Sequence, residues 1–382
     1  MRNVVVLATA QVLTGSALTV VTIMGGLVAA QIAPGPALVT LPFSLAIVAL
    51  ALATVPAALL MRRIGRRYGF IIGALVGASG GLTCCAGVIV QRFEVFCAGA
   101  LLLGSCVAFT QQYRFAAAES VPPERASRAI SQVLIGALGA AIIGPQVALA
   151  GRWWIAGHEF AGSFAAISVF CVLAALVLTR LNPSAPTVPA AAASESVQNP
   201  LRTTAFRVAV LASAGASAVM TFIMTAAPIS MHVVSHHSVE AATLVIQSHV
   251  LGMYVPSLFT GHVVARLGEQ RVIVMGSAIL AACTLFSLLG HSVMHYWWGL
   301  TLLGVGWNLA FVAGTTLLTR TLRGGNRHRG EAINDFTVFG SQACVSLLAG
   351  VVVQQIGWAT LNLVTLPLLA TIVLTSRRLR AA

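Results

Sequence analysis

Ala58-Leu59-Leu60-Met61-Arg62-Arg63-Ile64-Gly65-Arg66-Arg67 joins two long apolar runs, and 203 positions later Gly261-His262-Val263-Val264-Ala265-Arg266-Leu267-Gly268-Glu269-Gln270 does the same. The same offset of 203 relates Ala129-Ile130-Ser131 to Ala332-Ile333-Asn334. Two separate matches at one offset point to an internal duplication. Repeated bundles of apolar helices are a transporter architecture.

The runs leave no room for a soluble fold. The 382 residues are 58% hydrophobic and 8% charged, with a mean hydropathy of +0.92, whereas a water-soluble domain carries about 25% charged residues. At about 20 residues per crossing, twelve spans are expected. The first six are Val4 to Ala30, Leu38 to Leu60, Tyr68 to Val90, Phe93 to Ala117, Ala129 to Ala150 and Ala161 to Thr179. The rest are Phe206 to Ser230, Ala242 to Val264, Val272 to Gly290, Tyr296 to Thr319, Ala332 to Val353 and Thr360 to Thr375. The first run is too long for the apolar core of a signal peptide and is expected to stay as an uncleaved helix. Arg180 to Arg202, rich in Pro, Ala and Ser, lacks any helix or strand period and predicts a flexible linker. The expected organisation is an all-α membrane protein: a six-helix bundle over 1–180, a cytoplasmic linker over 181–205 and a second six-helix bundle over 206–382.

Charge sets the orientation. All 22 basic residues are arginines, and the nine acids are eight glutamates and Asp335. With both termini in the cytoplasm, only Arg92 and Arg152 fall outside, which the positive-inside rule favours. The net charge of +13 therefore reflects topology, and no nucleic-acid partner is expected. Cys84, Cys85, Cys97, Cys106, Cys171, Cys283 and Cys344 lie in apolar runs without CxxC or Cys/His spacing, so they are expected to be buried packing residues.

The turn after the second span resembles the signature loop of the major facilitator superfamily, G-x-x-x-D-R-x-G-R-R. Arg63, Gly65, Arg66 and Arg67 match it, while Ala58 and Arg62 replace its glycine and aspartate. The resemblance implies two pseudo-symmetric six-helix bundles that expose a solute site to each side in turn. Gly136, Gly139 and Gly144-Pro145 in the fifth span are similar to the Gly-Pro motif of proton-coupled exporters in that superfamily, with close helix packing as the plainer account. In the family pattern the loop aspartate lies near the start of helix 11, where the helix dipole favours an acid. Here Arg62 takes its place and helix 11 opens with Glu331 and Asp335, so Arg62 or Arg63 is expected to pair with one of those acids as a cytoplasmic gate.

Polar residues at membrane depth are the site candidates. Trp307 and Asn308, halfway along the tenth span, suit stacking against and hydrogen bonding to an uncharged or conjugated solute. Met220, Thr221 and Met224, with Gln11 and Thr14, fit the remaining lining, although each is more often a packing residue. Gln111 and Arg114 near the inner end of the fourth span offer donors to an anionic group, unless Arg114 simply snorkels to the interface. His249 lies well inside the eighth span and is the candidate proton carrier, with Asp335 as its acidic counterpart and hydrogen-bonded packing as its ordinary role. His232, His236, His237 and Glu240 form an outer polar stretch whose spacing fits loop chemistry better than a zinc or copper site.

No GxxxxGK[ST] loop is present to couple ATP hydrolysis, and neither GxSxG nor HExxH marks an enzyme. The expectation is a monomeric secondary transporter of the bacterial inner membrane, without a cofactor, that moves a small organic solute by alternating access, most simply as a proton-coupled exporter or antiporter. Proton-coupled import, facilitated diffusion and solute sensing without transport are the alternatives.

Overall fold

The computed structural model describes residues 2–35, 38–122, 126–182, 203–321 and 326–380. Most of the tract expected to be a linker lies outside the described residues. Two compact units form, Met1–Thr187 and Val188–Ala382, and every regular element described in them is a helix.

The first unit contains α1 (Arg2–Ile32), α2 (Leu41–Ile64), α3 (Arg66–Ile89), α4 (Phe93–Thr110), α5 (Tyr113–Glu119), α6 (Ala126–Ala150) and α7 (Ala161–Leu178). α4 and α5 divide what the hydropathy pattern reads as one span. The ladder tightens there: the Gln111 N–H still reaches the Val107 carbonyl at 2.9 Å, but the Gln112 N–H donates to Phe109, three residues back, at 3.0 Å. The core of this unit is built from large apolar side chains, among them Phe96 and Phe164, whose rings meet edge to face at 5.1 Å.

The second unit contains α8 (Thr204–Pro228), α9 (Val239–Tyr254), α10 (Ser257–Leu267), α11 (Glu269–Leu289), α12 (Val293–Thr321), α13 (Asn326–Leu363) and α14 (Leu366–Arg377). α9 and α10 are one expected span bent by 43°, with Pro256 at the break, where its missing N–H cannot continue the ladder. α13 is interrupted at Gly357, whose φ of 82° and ψ of 168° leave the helical region.

Among the described residues, ten helices are long and apolar enough to cross a bilayer, or eleven with the bent pair counted as one span. The last of them, Ile333–Arg377, is 45 residues long, and a stretch of that length supplies two crossings of about 20 residues. The count is thus compatible with twelve.

The duplication is written in the backbone. α2 turns into α3 at Gly65 (φ 84°, ψ 158°) and α10 into α11 at Gly268 (φ 80°, ψ 155°), a region essentially open only to glycine. Each glycine N–H caps the helix before it, on Met61 and Val264 respectively, both at 2.9 Å. Gly104 of α4 also lies directly on the Ala46 carbonyl of α2, and Gly304 of α12 on the His249 carbonyl of α9. Ala46 and His249 are again 203 positions apart.

The glycines of the fifth span pack α6 against α1. Gly136 faces the Ala8 carbonyl, a Cβ on Gly139 would stand 3.0 Å from Val12, and one on Gly144 would stand 3.2 Å from Thr19, while Pro145 is buried beside them. Small residues let the two helices approach closely. One expectation fails: six of the seven cysteines are buried, but Cys344 is exposed. An apolar span has two kinds of surface, and hydropathy alone does not tell the face toward the core from the face toward lipid.

Candidate functional site

Ser213, Ser217, Thr221 and Thr225 recur every four residues on α8, so they share one face. All four are buried, and neighbouring helices answer each of the first three. Ser213 Oγ donates to Asn334 Oδ1 of α13 at 2.6 Å, Trp307 Nε1 of α12 donates to Ser217 Oγ at 3.0 Å, and Gln342 Nε2 of α13 donates to Thr221 Oγ1 at 2.9 Å. Thr225 Oγ1 closes the series on the Thr221 carbonyl at 2.6 Å.

The hydrogen bond to Ser217 fixes the plane of Trp307. One turn along α12, Phe311 stacks on it with centroids 4.8 Å apart and planes 16° from parallel. Both rings are only partly buried, so they form an apolar plate with accessible surface beside a row of neutral donors and acceptors. Met220 and Met224 are buried on the same helix as the hydroxyls. A flat, uncharged, hydrogen-bonding solute is the ligand such a surface recognises.

Asn308 has a different task from Trp307. It is 1% exposed, its Nδ2 donates to the Met253 carbonyl at 2.8 Å and to Ser257 Oγ, and its Oδ1 accepts from Thr260 Oγ1 at 2.6 Å. Those partners flank the break between α9 and α10, so Asn308 braces the bend. Its amide is committed there and is not offered to a solute beside Trp307. One step along a helix turns a side chain by about 100°, which is why adjacent residues part company.

His249 is buried between α9 and α12. Since a carbonyl can only accept, the 2.8 Å contact makes Nδ1 a donor to Leu300, while Nε2 is buried without a hydrogen-bond partner. Asp335 lies exposed on α13, where Asn334 Nδ2 donates to it at 3.3 Å. The side chain of Glu331 lies outside the described residues.

In the first unit, Gln11 packs its Cβ against Gly136, and Thr14 receives a hydrogen bond from Thr110 at 3.1 Å. Gln111 is exposed at the α4–α5 break, and the Arg114 guanidinium lies 4.8 Å from the Phe115 ring centre. In the signature turn, Arg62 and Arg63 are exposed, while Arg66 Nε donates to Glu119 Oε2 at 2.7 Å. The matching turn of the second unit carries the reversed pair, Glu269 bound by Arg320.

The outer histidines form no group of three metal-capable side chains among the described residues. Their rings hold backbone instead: His232 Nδ1 donates to the His237 carbonyl at 2.7 Å and His237 Nε2 to the His291 carbonyl at 2.6 Å. The sequence signal missed at the main site was the four-residue hydroxyl period on α8, together with Phe311 four positions after Trp307.

The Major Facilitator Superfamily model matches residues 6–333 and again 209–380. The riboflavin transporter RfnT of Brucella anthropi is 41% identical over 97% of this chain and 94% of its own length. An uncharacterized MFS-type transporter of Bacillus subtilis, YdeG, is 28% identical over 95% of this chain and 88% of its own. Among solved structures, a bacterial homolog of the human lysosomal transporter Spinster, inward-facing and occupied, superposes with a TM-score of 0.73 at 14% identity, covering 98% of this chain and 95% of that one. The chain belongs to the Major Facilitator Superfamily and is a multi-pass membrane transporter of a small-molecule solute.

Proposed function

We propose that this transporter carries riboflavin or a closely similar solute, a flat heteroaromatic ring system with a hydroxylated tail, across the bacterial inner membrane, with both of its termini in the cytoplasm. The observation that carries the proposal is the Trp307–Phe311 plate set beside the hydroxyl row of α8. A conjugated tricycle stacks on the plate. Ser217, Thr221 and Gln342 are buried and paired within the unit, so they give the plate an uncharged surround that suits riboflavin, itself uncharged. The 41% identity to a riboflavin transporter over nearly the whole chain supports the same class of solute.

The energy source in this proposal is the proton gradient, and His249 is the titratable group placed to couple to it. The Gly-Pro helix packs closely on α1, an arrangement that suits import and export alike. Direction is therefore what the experiment reads.

Purified protein in proteoliposomes is given radiolabelled riboflavin with the inside made acidic, then with the outside made acidic. Accumulation above the equilibrium level under one gradient, abolished by a protonophore, is the expected result, and its sign gives the direction. No riboflavin movement under either gradient overturns the substrate. Movement indifferent to the protonophore overturns the coupling.

A further inference from the structure

The first unit holds a cleft of about 100 Å³ where the start of α1, the α2–α3 turn and the chain after α7 meet, lined by Asn3, Gly65, Arg66, Arg67, Tyr68 and Asn182 among others. The Asn182 N–H donates to Asn3 Oδ1 at 3.0 Å and closes one wall. Positive-inside topology puts this end at the cytoplasmic surface.

The charges in the cleft do not balance. Arg66 is neutralised by Glu119, through Nε at 2.7 Å and a terminal nitrogen at 2.5 Å. Arg67 has no carboxylate among the described residues. The Tyr68 ring lies 6.0 Å from its guanidinium carbon, and its Nε is buried without a hydrogen-bond partner. A buried donor left unmade is costly and calls for an explanation. The N-terminus of α3 opens beside it: Gly65 has no side chain to cap the helix, and the first N–H with an acceptor in the turn is that of Gly69, on Gly65 at 3.1 Å.

The duplicated turn is an internal comparison. At the offset of 203, Glu269 stands at the place of Arg66 and Gln270 at that of Arg67, and Arg320 answers Glu269. An acid at a helix N-terminus agrees with the helix dipole, whereas the arginines of the first unit oppose it. A bound anion would offset that opposition.

We propose that this cleft binds a phosphate group. Its several acceptor oxygens match an unanswered guanidinium fork beside free helix N–H groups. The phosphate comes either from the headgroup of an anionic lipid or from free phosphate in the cytoplasm. Tyr68, 62% exposed beside the cleft, sits as interfacial tyrosines do at headgroup depth. The site is separate from the solute site on α8 and α12 and does not depend on what is transported.

The test is thermal unfolding of the purified full-length protein at constant ionic strength, titrated with dioctanoyl phosphatidylglycerol, with phosphate-free dioctanoylglycerol and with inorganic phosphate. Phosphatidylglycerol is expected to raise the unfolding midpoint and dioctanoylglycerol to leave it unchanged. Arg67→Gln, which installs the residue of the second unit, is expected to weaken the response about tenfold, the scale of one charge-assisted contact. Arg63→Gln, exposed outside the cleft, is expected to behave as wild type. Arg67→Lys, which keeps the charge but loses the fork, is expected to fall between and serves alone if Arg67→Gln does not fold. A response to inorganic phosphate as well assigns free phosphate as a ligand, and a response to phosphatidylglycerol alone assigns the lipid. Equal stabilisation by dioctanoylglycerol, or wild-type responses from both Arg67 variants, overturns the proposal.

Discussion

The two units share their backbone devices and differ in what they have hung on them. Gly65 and Gly268 make the same turn, and Gly104 and Gly304 make the same approach to a neighbouring carbonyl, yet the side chains around these points have diverged. α2 runs unbroken from Leu41 to Ile64 in spite of Pro56, whereas its counterpart is broken at Pro256 into α9 and α10. Counted from the matched glycines, Ala108 of the first unit answers Asn308 of the second, and Val107 answers Trp307. The broken helix and its amide brace therefore occur together, as do the aromatic plate and the hydroxyl row. The second unit carries the plate and hydroxyl row to which the proposed function assigns the solute, and the first carries the surplus positive charge of the signature turn.

The largest expected effect falls on the brace. Asn308→Ala removes the amide that donates to the Met253 carbonyl and accepts from Thr260; the Thr260 hydroxyl keeps the Pro256 carbonyl at 2.8 Å, so a loss of about 2 kcal/mol is expected. Chemical denaturation in detergent measures it. A loss below roughly 0.5 kcal/mol, the scale of an ordinary surface substitution, would mean that the bend holds itself and that the comparison with Ala108 is empty.

The shared turns give a symmetric prediction. At Gly65 and Gly268 an added Cβ meets nothing within 4 Å, so the cost of alanine is backbone strain alone, about 1–3 kcal/mol at each. Equal losses in Gly65→Ala and Gly268→Ala sharpen the claim that the turns are one device used twice. A loss at only one of them breaks it.

Trp307 marks where the units part. Trp307→Ala is expected to reduce riboflavin transport about tenfold, the ~1.4 kcal/mol of one aromatic stack, while Trp307→Phe keeps most of it and loses only the anchor to Ser217. Val107→Ala in the first unit is the control and should leave uptake close to wild type. Uptake kinetics in proteoliposomes read all three, and equal losses at 107 and 307 would show that the plate is not where the solute binds.

Membrane class, span positions and duplication were legible because they depend on sums over about 20 residues and on repeated strings. What was not legible depends on the angular position of single residues. Trp307 and Asn308 read as a pair in the sequence, but a rotation of about 100° sends one to Ser217 and the other to the bend. Cys344 looked like its six buried fellows because hydropathy is blind to which face meets lipid. The break at Gln111–Gln112 carries neither glycine nor proline and left no mark in the pattern. The reversal within the units, Arg66–Glu119 against Glu269–Arg320, was not read from the sequence, where the expected exchange concerned Arg62 and the acids Glu331 and Asp335.

That reversal supports the smallest prediction. Arg66 begins α3 and Glu269 begins α11, while Arg320 lies in the last turn of α12. The second unit thus has its acid at a helix N-terminus and its base at a C-terminus, as the dipole favours, and the first unit has them the other way round. Both pairs are partly exposed, with the Arg66 and Glu119 side chains at 27% and 38%, so breaking either pair costs no more than about 1 kcal/mol. Exchanging the partners keeps the pair and changes only its agreement with the dipole. Arg66→Glu combined with Glu119→Arg is expected to be more stable than wild type by about 0.3–1 kcal/mol, and Glu269→Arg combined with Arg320→Glu less stable by a similar amount. The first double variant should also lose its stabilisation by phosphatidylglycerol, because it puts an acid into the cleft beside Arg67. A gain in stability together with that loss would mean that the first unit keeps its unfavourable polarity for the anion it holds. A first double variant less stable than wild type, measured without added phosphate or anionic lipid, would remove the dipole from the argument.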